Sequence, residues 1–256
     1  MEFLKYVVYS HTDYLDVLQL QTESLKYYNN KILLINKNNN DLLDLYKYYN
    51  EVIFYEDTLP YASRLLYLSN IKDEYILFIH DIDVIIKKDD YILSTIKNFM
   101  CGNNIDRVDL QVRVEWDRSN RDILKFNHNN TEIELRKQTN VSNYIFNVNP
   151  SIWKTSSFLD VLNKFKNETY RTIENDIVMN YCKKYNIYKL YSSDPIKCGW
   201  FSCLSFFQFI HVTHKGKLLP KTHNQLDTSL QLEYDNMINK LFKCNTNKTF
   251  YTGIVK

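Results

Sequence analysis

Glycine and proline are scarce, at four residues each in a chain of 256. No Gly- or Ser-rich linker therefore divides the sequence, and no internal repeat does so either. Cysteine is sparse and odd in number, five residues (Cys101, Cys182, Cys198, Cys203 and Cys244) without a Cys-x-x-Cys pair. That pattern excludes a disulfide framework and implies free thiols in a reducing compartment. Charge of one sign is lacking too. With 32 basic against 30 acidic residues the net charge is +2, and no Lys/Arg cluster marks a nucleic-acid surface. No apolar run reaches membrane-spanning length, and "MEFLKYVVYSHTDY" turns polar too early for a signal peptide. These absences predict a soluble, cytoplasmic protein that uses neither nucleic acid nor membrane.

What is present is a core. Hydrophobic residues make up 45% of the chain, enough for one α/β domain spanning 1–256. "KYVVYS", "KILLIN", "EVIFYE" and "YILFI" are β-rich runs separated by segments of helical periodicity over 14–27, 41–49 and 61–71. Pro60 suits the first turn of the third helix. Strands alternating with helices imply βαβ units and a mainly parallel sheet in residues 1–100. Beyond Cys101 the alternation of "RVDLQVRVEWDRS", "TEIELRK" and "SNYIFNVN" predicts strands, followed by helices over 156–166 and 173–185 and a strand at "IYKLYS". From Cys198 the sequence is aromatic and irregular until a last helix near 230–242.

The chemistry-bearing stretch is "YILFIHDIDVIIKKDD". An apolar strand ends in Asp81 and Asp83, and apolar residues resume at once. In parallel α/β sheets ligands bind beyond the carboxyl ends of the strands. Two neighbouring carboxylates repel each other, and a hard divalent cation, Mn²⁺ or Mg²⁺, relieves that repulsion. Ile82 is expected to point into the core and hold the pair. A plain surface turn is the competing explanation, but the segment lacks the Gly, Pro or Asn of a turn.

In this context the segment resembles the Asp-x-Asp motif of GT-A type glycosyltransferases, the nucleotide-diphospho-sugar transferase class. The resemblance spans residues 3–192 as a pattern of elements, with only the Asp-x-Asp segment a motif in the strict sense. It implies a Rossmann-like GT-A fold with a nucleotide-binding half (1–100) and an acceptor half (101–256). It further implies a nucleotide-sugar donor, UDP-linked by preference, and a glycan or other hydroxyl acceptor. On this resemblance Tyr9, Ser10, His11 and Thr12 meet the nucleotide, though Ser10 to Asp13 also reads as a helix N-cap. Arg64 reaches the sugar or the motif aspartates. Asp81 and Asp83 hold the metal, joined by His211 or His214, while Lys215, Gly216 and Lys217 serve the diphosphate. Asp176, or else Glu174, takes the acceptor proton; both also suit a helix N-terminus. Trp153 stacks on an acceptor sugar or is an ordinary buried Trp, and Trp116 and Trp200 stand open in the same way. His80 is expected to be structural. The competing functions are a phosphatase or nucleotidyltransferase using the same aspartates, and a non-catalytic binder. Asp81-Ile82-Asp83-Val84-Ile85 has Ile where dehalogenase-like phosphatases carry Thr or Val.

Overall fold

A computed structural model describes residues 4–36, 42–113, 122–128, 131–138, 145–192, 195–198, 201–214, 217–219 and 228–243. The first half follows the predicted alternation. β1 (Lys5–Tyr9) leads through a 3-10 turn into α1 (Leu15–Leu25), then β2 (Lys31–Ile35), α2 (Leu43–Tyr46), β3 (Glu51–Phe54), α3 (Tyr61–Leu65) and β4 (Tyr75–His80). These strands pair in parallel in the order β3-β2-β1-β4. The chain runs outward from β1 to β3 and then crosses back to lay β4 on the other side of β1. The strand order therefore reverses between β1 and β4, the position where α/β sheets open a crevice.

β5 (Asp83–Lys88) and α4 (Asp90–Gly102) follow, then β6 (Arg107–Arg113), β7 (Ile123–His128), β8 (Thr131–Lys137) and β9 (Ser151–Lys154). α5 (Thr155–Lys164), α6 (Asp176–Cys182) and β10 (Ile187–Tyr191) continue the chain. The tail holds β11 (Ile196–Cys198), β12 (Phe201–Cys203), β13 (Phe207–His211), β14 (Thr213–His214), β15 (Lys217–Leu218) and α7 (Thr228–Lys243). The central sheet continues past β4 as β9-β6-β10-β8-β7, mixed in direction. The protein is thus a mixed α/β fold with several parallel strands at one side of a large sheet.

Strict alternation along the inner strands divides the core in two. Tyr6, Val8, Leu33, Ile35, Leu77 and Ile79 face α1, α4 and α7. Val7, Ile32, Leu34, Ile76 and Phe78 face α3, α5 and α6. Both sheet faces are covered, which is why β2 and β4 are buried at every position. No described helix is long and apolar enough to cross a membrane. Cys101, Cys182, Cys198 and Cys203 are free thiols.

Four expectations are corrected. The predicted strand over 142–149 is irregular where it is described, because Arg107 takes the carbonyls of Ile145 (2.8 Å) and Asn147 (3.1 Å) that a ladder would have used. The strand is instead Ser151–Lys154, and it buries Trp153 to 1% exposure between Phe146, Phe158 and the Arg107 guanidinium. Trp153 is a core residue and offers no face to a sugar. The helix expected over 173–185 begins at Asp176, where the Asn175 side chain caps it by accepting from the Val178 N–H at 2.9 Å. Its packed residues are Val178, Met179 and Cys182, while Ile177 is exposed. The tail, expected to be irregular, contains β13, which pairs antiparallel with β5.

Candidate functional site

The β1 and β4 ends meet in register, Tyr9 beside His80. The Asp81 N–H donates to the Tyr9 carbonyl (3.0 Å), carrying the ladder one step past the sheet edge. The Ser10 hydroxyl donates to Asp81 Oδ2 at 2.5 Å, and Tyr55 donates to the Ser10 carbonyl at 2.9 Å. The Asp81 carboxylate is therefore oriented by the first loop, 71 residues earlier in the chain.

A cleft of about 1130 Å³ opens here, lined by Tyr9, His11, Asp81, Glu174, Arg171 and His211 among others. This is slightly above the ~300–1,000 Å³ typical of small-molecule sites and has room for a nucleotide sugar. Asp81 lines it; Asp83 does not. Asp83 sits at the start of β5, 4% exposed, with His211 Nδ1 2.6 Å from its Oδ1. The register of β5 and β13 puts these two residues opposite each other. An ionised carboxylate can only accept, so Nδ1 carries the proton and Nε2 is the nitrogen with the lone pair in the neutral ring. The expected pair of equivalent carboxylates is thus replaced by Asp81 on the cleft wall and Asp83 behind His211. Gln21, buried on α1, clamps β5 by accepting from the Ile85 N–H and donating to the Asp83 carbonyl. Ile82 is half-buried, packing on the core from the cleft wall. Among the described residues no three His, Cys, Asp or Glu side chains form a metal-holding group.

The remaining candidates divide. The His11 ring accepts from the Asp13 N–H at Nδ1 (3.0 Å) and donates from Nε2 to Asp57 (3.0 Å), so the N-cap role and the cleft wall coincide. Thr12 bonds to Asn36 through its N–H and does not line the cleft. Arg64 lines it but bonds to the turn below, to the Leu59 carbonyl (2.7 Å) and the Asp57 carboxylate (3.1 Å). Its expected reach to the motif aspartates is not seen. Burial works against the Asp57 charge, yet His11 and Arg64 hold its carboxyl below the usual range. Lys217 is exposed on β15, away from the cleft lining. His214 lies in β14; Lys215, Gly216, Trp116 and Trp200 fall outside the described residues.

Of the two acids late in the chain, Glu174 lines the cleft, and Asp176, exposed at the head of α6, does not. The Glu174 carboxylate accepts from the Val148 N–H at 2.8 Å. Although much of its surface meets solvent, the protein atoms crowded around its carboxyl desolvate it and push its pKa up; the Val148 N–H and Arg107 act in the opposite direction. A raised carboxyl pKa means the native state binds the proton more tightly than the unfolded chain, so stability falls as pH rises past the ordinary carboxyl range. Glu174→Gln, which keeps an acceptor for Val148, is expected to raise the melting temperature at pH 7 by about 2 °C. The gain should fade as pH drops below the ordinary carboxyl pKa, and parallel melts at pH 7 and pH 4 measure it.

Two residues not singled out from sequence belong to the same wall. Tyr61 shares a 2.6 Å hydrogen bond with His80 Nε2, and Tyr170 packs against both rings. Burial pulls the His80 pKa down to about 4, so the ring is neutral at pH 7. Tyr170 lines the cleft together with Asp81 and Glu174. With 21 tyrosines in the chain, nothing in the sequence distinguishes these two.

No protein-family model matches the chain, and no curated protein matches it. Among solved structures it is similar to apo UDP-glucose pyrophosphorylase, at 10% identity and TM-score 0.44, covering 95% of this chain and 100% of that one. It is also similar to UDP-glucose pyrophosphorylase complexed with UDP-glucose, at 9% identity and TM-score 0.40, covering 81% and 91%. Likenesses this distant carry no conclusion about chemistry.

Proposed function

We propose that the protein is a metal-dependent glycosyltransferase that moves a sugar from a nucleotide-sugar donor, UDP-linked by preference, to an acceptor hydroxyl. The observation that carries this is Asp81, fixed by Ser10 at the strand-order reversal, facing Glu174 across one cleft of about 1130 Å³. A carboxylate and an imidazole on one cleft lining suit Mg²⁺ or Mn²⁺, which are held through one or two carboxylates with substrate phosphates completing the shell. Asp81 and His211 would hold the cation, with Asp83 orienting the His211 ring. When bound, the cation supplies charge neutralisation for the departing diphosphate. The chain's own residues do the rest. The first loop, Tyr9 to His11, borders the nucleotide, and Glu174 takes the proton of the attacking hydroxyl, a task its raised pKa suits.

Isothermal titration of UDP with and without Mn²⁺ tests the first half. Binding should require the cation, and equal binding in its absence rejects the metal role. Incubation with a panel of nucleotide sugars tests the second half, since slow donor hydrolysis needs no known acceptor. Donor held without being consumed would instead indicate a binding protein, and release of phosphate alone a phosphatase.

A further inference from the structure

Beneath the Glu174 side of the cleft lies a charged cluster inside the sheet. Arg107 and Asp109 on β6 are fully buried, and Lys189 on β10 is nearly so. Lys189 Nζ stands 3.3 Å from Asp109 Oδ2, and the Arg107 guanidinium 3.7 Å from the same oxygen. Two cations and one anion leave an excess positive charge, which is costly inside a fold unless bonded and balanced. Asn147 bridges the two sides of the cluster. Its Nδ2 donates to Asp109 at 2.9 Å, while its Oδ1 accepts from Arg107 at 2.5 Å and from the Asn149 N–H at 3.1 Å. Arg107 also takes the Ile145 and Asn147 carbonyls and the Ser151 hydroxyl (2.8, 3.1 and 2.7 Å). The backbone from 145 to 149 is thus held from below by side chains in place of a ladder. Its next amide after Asn147, Val148, is the one that meets Glu174.

We propose that Asn147 is a positioning residue for Glu174. Locked between Arg107 and Asp109, it sets the turn that aims the Val148 N–H at the Glu174 carboxylate and holds that carboxylate toward the cleft. This rests on the role given to Glu174 above. The groups that face Glu174 are Arg107, Asp109 and Lys189 from the sheet and Tyr61 and Tyr170 from the cleft wall. Of the contacts that stabilise its ionised form, only the Val148 bond depends on the local turn. Arg107 and Lys189 act through space, and Arg107 keeps the Ile145 carbonyl and the Ser151 hydroxyl when the Asn147 side chain is changed.

The test is NMR on the full chain without substrate. With carbon-labelled glutamate, the Glu174 carboxyl should titrate at a higher pH in Asn147→Ser than in the parent. Loss of one charge-assisted hydrogen bond raises its proton affinity by about tenfold. Asn147→Ala removes both side-chain bonds without adding a charge beside Asp109 and Glu174, and serves if the serine variant does not fold. A measurement on the parent alone stands behind both: the Val148 amide proton shift should titrate with the Glu174 midpoint. A folded variant with an unmoved Glu174 titration, or a Val148 amide indifferent to it, overturns the proposal. Failure of the parent to consume any nucleotide sugar would overturn the transferase assignment and leave this coupling standing.

Discussion

An Asp81→Asn variant is expected to lose cation-dependent nucleotide binding and to consume donor about 10³-fold more slowly than the parent, roughly 4 kcal/mol of lost transition-state stabilisation. The carboxamide oxygen can still accept the Ser10 hydroxyl that Asp81 Oδ2 now takes at 2.5 Å, so the loop geometry and the denaturant midpoint should hold. The variant therefore separates charge from shape. Titration of UDP with Mn²⁺, alongside a urea melt of the same preparation, measures both. Retained cation-dependent binding would place the metal elsewhere. Asp83→Asn makes an informative companion. It removes the negative charge that holds the His211 proton on Nδ1, leaving only a neutral carboxamide oxygen or a competing amide donor there, and is expected to weaken cation affinity by about 10–100-fold, the usual effect of weakening an orienting partner.

Asp109→Ala should destabilise the fold by about 3–5 kcal/mol, the range for removing one partner of a buried ion cluster. Burial opposes the Asp109 charge, yet Lys189 and Arg107 hold its pKa below the ordinary value, with the Asn147 amide and the Gln111 N–H adding to that. Removing the carboxylate leaves two buried cations near each other and an unpaired Asn147 donor. Equilibrium urea unfolding gives the value, and a loss under about 1 kcal/mol would show that the cluster is solvated. Asp109→Asn keeps an acceptor for both cations and should lose less. The comparison separates hydrogen bonding from net charge.

How much of this was legible without the fold differs by element. β1, β2 and β4 were readable because their residues are apolar on both faces, and β3 because a short β-rich run stands between polar segments. Asp81 was readable because a carboxylate closing such a strand has few structural reasons to be there. β13 was not readable: "FQFIH" looks like its aromatic surroundings until β5 pairs with it. Trp153 was misplaced because a buried and a ligand-stacking tryptophan have the same sequence neighbourhood. Glu174 and Asp176 are two residues apart, and periodicity alone favoured Asp176, which is not part of the cleft lining, since it assumed a helix running from Ile173. The Asn175 cap starts that helix three residues later and leaves Glu174 in the turn beside the cleft.

Local pattern alone settled the α/β class, the parallel first half and the position of the first carboxylate, because burial on two faces and the end of a strand are properties of contiguous residues. Contact between distant residues decided the rest. His211 meets Asp83 across 128 positions, and Asn147 meets Asp109 across 38. Hydrogen bonds and ion pairs act over a few ångströms of space, and a linear chain carries no measure of that distance until it is folded.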